Sequence, residues 1–136
     1  MRKRVLIVAA ACILLSGVIV YVSVFIGKKP YRDLDASEIL SAAVRVEPPG
    51  KTLPIADTKK LTEYLRDVVI YNRDDSYKTY DGLSITYTLT MTDGMQTEIM
   101  PYNPCIVIDG VGYRTERESS DALISYANQL FDKGIF

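Results

Sequence analysis

Residues 5–27 constrain this chain more than any other segment. They carry no charge, and fourteen of the twenty-three are Val, Leu, Ile or Phe. As a helix rising 1.5 Å per residue the run would be about 34 Å long, enough for a hydrocarbon core of about 30 Å. The run therefore predicts an N-terminal transmembrane helix and, through residues 5–27, a lipid bilayer as a partner. Tyr21 lies nearer its C-terminal end, where an aromatic hydroxyl seeks the interface.

Three fates are open to such a segment. An uncleaved signal anchor fits best. A cleaved signal has a shorter apolar run and a small-residue site, and Ser23-Val24-Phe25-Ile26-Gly27 makes a poor one. A lipoprotein signal is suggested by Ala9-Ala10-Ala11-Cys12, but the chain stays apolar for fifteen residues after Cys12. Arg2, Lys3 and Arg4 on one side face Lys28, Lys29 and Arg32 on the other, a narrow margin for the positive-inside rule. The expected layout is a cytoplasmic tail (1–4), a signal anchor (5–27), a short stalk (28–35) and an extracytoplasmic domain (36–136). The domain would be secreted or lipid-anchored if the signal is processed.

Composition then removes several functions. The chain has no His and no Trp, so a Ser-His-Asp triad, a Cys-His pair and a His-ligated zinc are all impossible. From Tyr31 onward eleven basic residues face seventeen acidic ones, a net charge of −6. That sign argues against nucleic acid as a partner. Cys105 is the only cysteine outside the apolar segment, which rules out a disulfide within the domain. With no imidazole to activate it, Cys105 reads as a small buried hydrophobe rather than a nucleophile.

The domain's own patterning is clear in places. Asp35 and Glu38 resemble a capping pair for a brief helical turn. Leu40, Ala42, Val44 and Val46 then alternate with polar or small residues, a strand with one buried face that Pro48-Pro49-Gly50 ends. Asp57 or Thr58 caps a helix whose apolar stripe is Leu61, Tyr64, Leu65, Val68 and Val69. Val68 to Tyr71 passes into a short strand.

Leu83, Ile85, Tyr87, Leu89 and Met91 alternate without error with Ser84, Thr86, Thr88, Thr90 and Thr92, predicting a half-buried strand with a threonine face. A three-residue loop at Thr92-Asp93-Gly94 would pair Leu89 with Thr97 and Tyr87 with Ile99, keeping Glu98 off the core face. Asp109-Gly110 marks a second hairpin. A last helix begins near Ser119 or Ser120, with the stripe Leu123, Tyr126, Ala127, Leu130 and Phe131, and stops at Gly134. The expected fold is α+β: after the transmembrane helix, a two-layer domain with an antiparallel sheet of about four to six strands and two helices on one face.

The most polar loop, 72–82, holds the candidate contact residues Asn72, Asp74, Asp75, Tyr77 and Tyr80. Tyr with Asn, Asp and Ser suits adaptable recognition. The bland alternative is a solvated connection whose tyrosines rest on the sheet edge. Asn72, Asp74 and Ser76 have calcium-loop spacing, but Tyr77 stands where the sharp turn needs Gly and Leu83 where a bidentate Glu is required. No metal, cofactor or catalytic residue is therefore assigned. No Gly-x-Ser-x-Gly elbow, Ser-x-x-Lys pair, phosphate loop or dinucleotide fingerprint occurs.

Three segments together carry a resemblance: Val46-Glu47-Pro48-Pro49-Gly50-Lys51-Thr52; Val69-Ile70-Tyr71 with Asp74-Asp75-Ser76-Tyr77; and Asn103-Pro104-Cys105-Ile106-Val107-Ile108-Asp109-Gly110-Val111-Gly112-Tyr113. They resemble an uncharacterised family of small extracytoplasmic domains of Firmicutes, chiefly clostridia, similar to domains found behind BlaR-type membrane metallopeptidase sensors. The resemblance would cover about residues 33 to 132. It implies a Gram-positive surface location and supplies no activity or functional residue. The expectation from all of this is a membrane-anchored extracytoplasmic binding domain for an unknown protein or envelope partner. The alternatives are an accessory subunit of a membrane sensor or transport complex, and a small carboxylate-dependent hydrolase.

Overall fold

The computed structural model describes residues 2–80 and 82–133, with side chains except at residues 2 and 17–25. The expected stop at Gly134 lies outside the described residues. Helix α1 spans Arg2–Phe25. The expected transmembrane helix is corrected: among the described residues no helix is long and apolar enough to cross a membrane. The side chains described in α1 are those of residues 3–16. Two of them, Lys3 and Arg4, are cationic.

The domain is α+β. Seven strands form one antiparallel sheet, rather than the four to six expected: β1 (Ile39–Glu47), β2 (Lys51–Pro54), β3 (Ile70–Arg73), β4 (Ser84–Met91), β5 (Gln96–Pro101), β6 (Cys105–Ile108) and β7 (Val111–Thr115), in the order β2-β1-β4-β5-β6-β7-β3. Helices α2 (Thr58–Arg66) and α3 (Arg117–Asp132) cover one face. The unforeseen strand is β2. After Glu47-Pro48-Pro49-Gly50 the chain does not leave the sheet but returns along β1, pairing Val44 with Leu53 and Val46 with Lys51. Four residues with one buried side chain, Leu53, are too few to show a period.

The 3₁₀ turn Ala36–Glu38 opens with a capping box between Asp35 and Glu38. The strand behind it is bulged. Ile39 faces Met91 while Ser41 faces Thr90, so Leu40 is the extra residue, and a bulge re-aims side chains. Leu40, expected on the buried face, is 67% exposed and Ile39 is buried instead. In β4, Leu83 precedes the strand and is 54% exposed, contrary to the alternation. Ile85, Tyr87 and Leu89 are buried as their period requires. The β4–β5 loop has the expected register: Tyr87 pairs with Ile99, Leu89 with Thr97, and the Met91 amide donates to the Met95 carbonyl at 2.8 Å. Gly94 at φ 87° supplies the positive φ that the third loop position needs.

The core lies between this sheet face and the helices. Leu61 and Leu65 of α2, and Leu123, Tyr126 and Ala127 of α3, are buried against Val44, Ile85, Tyr87, Leu89, Ile99 and Ile106. Tyr64 and Tyr126 join the helices, ring centroids 5.0 Å apart. Asp57 caps α2 by accepting from the Lys60 amide. Helix α3 begins two to three residues before the expected start, which places Ser119 and Ser120 inside the helix: both are buried, and Ser119 donates to the Asp67 carbonyl.

Residues 28–35 run along the domain. Lys28 and Ile70 exchange backbone hydrogen bonds at 2.8 Å each way. Tyr31 packs on the core and Leu34 is buried. The Leu34 carbonyl accepts from Arg66 Nε at 2.7 Å. The segment is a strap tied to β3, the core and α2.

Candidate functional site

The second face of the sheet is solvated over β1 and β4 but covered over β6 and β7. Side chains alternate along a strand, so Ile106 enters the helical core while Cys105 and Val107 point the other way. Both are nevertheless buried, at 0% and 2% exposure, because the loop after β3 folds across them. The Asp74 amide donates to the Gly112 carbonyl at 2.9 Å. Asp74 Oδ1 accepts from the Ser76 amide, and this bond holds the Asp74 carboxyl below its usual range. A 3₁₀ turn (Ser76–Thr79) follows. Gly112 makes the approach feasible: a Cβ there would lie 2.2 Å from the Asp74 carbonyl oxygen and 2.9 Å from the Tyr77 ring.

Three tyrosines finish the cover. Tyr77 stacks on Tyr102 at 5.9 Å between ring centroids, and Tyr80 tilts against the same ring at 5.7 Å. The Tyr77 hydroxyl donates to the Gly110 carbonyl at 3.3 Å. Burial raises the Cys105 thiol above its ordinary pKa, partly opposed by hydrogen bonds from the Ser76 and Tyr80 side chains and the Tyr77 backbone. A buried neutral thiol is inert as a nucleophile.

Beside this cover, where β4 begins and β5 ends, a cleft of about 530 Å³ opens between the tyrosine loop and α3. Tyr80 and Tyr102 form one wall and Ile124 of α3 belongs to the other; Leu83, Pro101 and Asn103 are among the remaining lining residues. Leu83 and Tyr80, 54% and 41% exposed, bring apolar surface to solvent there. Asn103 donates to Asp121 Oδ1 at 3.0 Å, tying the rim to α3. Burial raises the Tyr102 phenol pKa.

The five candidate residues separate. Tyr77 and Tyr80 meet around Tyr102, while Asp74 is turned inward to cap its own loop. Asn72 and Asp75 are exposed, and Asp75 makes no capping bond. The cleft residues Leu83, Pro101, Tyr102, Asn103 and Ile124 were not singled out by sequence reasoning. A signal exists for the neighbouring cover alone: glycine inside a strand, as Gly112 is in β7, marks close approach of another backbone.

Carboxylates converge elsewhere. Asp67, Glu116 and Glu118 line a depression of about 400 Å³ with Lys29 and Tyr64. The Tyr71 hydroxyl donates to Glu116 Oε1 at 2.9 Å, and this bond raises the Tyr71 pKa. Among the described residues no group of three His, Cys, Asp or Glu could hold a metal ion.

No protein-family model, no curated protein and no solved structure matches this chain, so its function has to be argued from its own residues.

Proposed function

We propose that this chain is a small binding module that seats a protein segment in the cleft between the tyrosine loop and α3. The observation that carries the reading is the pairing of exposed apolar surface, Leu83 and Tyr80, with a concave site of about 530 Å³. Ligand sites are concave and mostly apolar with few oriented polar groups. Here Tyr102 and Asn103 are the oriented groups. Tyrosines with two side-chain torsions give contact area at low entropic cost. The ligand class is a short segment presenting an apolar or aromatic side chain.

Peptide display against the full chain tests this. Clones should enrich, and their binding should fall at least tenfold, about 1.4 kcal/mol, on Leu83→Asp. Failure to enrich any clone, or binding indifferent to Leu83→Asp, would overturn it.

The proposal also keeps the domain outside the cytoplasm. Its support is the basic cluster Arg2-Lys3-Arg4 ahead of an apolar run, the pattern of export signals. Protease added to intact cells should degrade the domain; protection until lysis would argue against that placement.

A further inference from the structure

The strap and the tyrosine loop are the two ends of one short strand. At its start, Ile70 is held to Lys28 by two backbone hydrogen bonds of 2.8 Å. Gly27 presses directly on the same strand: a Cβ there would lie 2.1 Å from Val69 Cγ1 and 3.1 Å from the Tyr71 ring. At its end, Arg73 runs into Asp74, whose amide is bonded to Gly112. From there the chain passes through Tyr77, stacked on Tyr102, to Tyr80, which lines the cleft. On the other side two β3–β7 pairs, Ile70 with Thr115 and Arg73 with Tyr113, with a register shift between them, and a Thr115 hydroxyl bond to the Val69 carbonyl at 2.6 Å hold the strand. A four-residue edge strand with an irregular ladder has little resistance of its own to sliding or tilting. The strap is firmer, anchored by Tyr31 on the core and by the Arg66 bond at Leu34.

We propose that the junction of α1 with β3 controls the tyrosine loop. While Gly27 and Lys28 sit on β3, the loop lies closed over Cys105 and the Tyr80–Tyr102 wall is formed. Displacing α1 pulls the junction from β3, loosens Asp74 from Gly112, and opens the wall. The inference deepens the binding reading above, since it gives that cleft a regulator, the seating of Gly27 and Lys28 on β3. An equilibrium between two packings that both sites bias is what coupling requires.

Cys105 reports the loop without any ligand. The test uses the full chain with Cys12→Ser, so that Cys105 is the single thiol, and measures its modification by a thiol reagent under native conditions. When opening and closing are fast, the rate follows the open population. Gly27→Ala, which forces a Cβ into Val69, should raise the rate by about tenfold. Val69→Ala added to it removes the clashing methyl and should return the rate toward the parent's. Lys28→Pro deletes the amide bonded to Ile70 and should also raise it. Leu53→Ala, at the opposite edge of the sheet, controls for general loosening and should leave the rate near the parent's.

Cooperative thermal unfolding confirms that each variant is folded; a clash variant that does not fold is replaced by Lys28→Pro. Parent-like rates in the junction variants would overturn the proposal. So would an equal rise in Leu53→Ala, or no rescue by Val69→Ala. A cleft that binds no peptide would fail the display experiment and leave this result untouched, so the two failures are distinguishable.

Discussion

The phenol of Tyr87, on the interior strand β4, donates to the main-chain carbonyl of Leu123 in α3. Both residues are fully buried, so this bond pins the helix layer to the sheet at one depth and one rotation. Tyr87→Phe keeps the packing and deletes the bond. The expected loss is about 1 kcal/mol, read as a lowered denaturant midpoint with an unchanged slope.

Alkali should act through the same residue and through Tyr31. Burial raises the phenol pKa of both, Tyr31 to about 12. A folded-state pKa above the unfolded value of about 10 means stability that is complete below pH 10 and lost as pH climbs through the folded value. Stability measured from pH 9 to 12 should fall, and the Tyr31→Phe/Tyr87→Phe chain should show a shallower decline.

The bulge makes opposite predictions for neighbours. Leu40→Lys places a charge in solvent and should change stability by no more than about 0.5 kcal/mol. Ile39→Lys buries a charge and should cost several kcal/mol or prevent folding. Chemical denaturation of the two chains decides whether the strand is bulged as described.

Gly112→Ala should expel the loop. Its new methyl carbon would meet the Asp74 carbonyl oxygen at 2.2 Å, and overpacking of this kind costs about 1–3 kcal/mol. Trypsin should then cut at the exposed Lys78 faster than in the parent chain. Equal cutting rates would show that the loop does not depend on that close approach.

How much of this could be read from residue order follows from where each signal lies. The stretch Leu83–Thr92 declares its period, and Asp93-Gly94 declares a turn. A one-residue slip would put Glu98 on the core face, so the pairing of Tyr87 with Ile99 could be deduced. Alternation is blind to an inserted residue, which is why Leu40 and Ile39 exchanged roles. Strand β2 has one buried residue, Leu53, and no period to detect. The cover over Cys105 depends on a contact between Asp74 and Gly112, far apart in the chain, and local pattern carries no such distance information.

The tie between Lys28 and Ile70 also decides where the chain can be shortened. A fragment that started beyond Lys28 would bare the amide and carbonyl of Ile70 on the outer rim of the sheet. Unpaired rims recruit strands from other molecules, so such a fragment would be expected to self-associate in proportion to its concentration, while one that kept Lys28 would not.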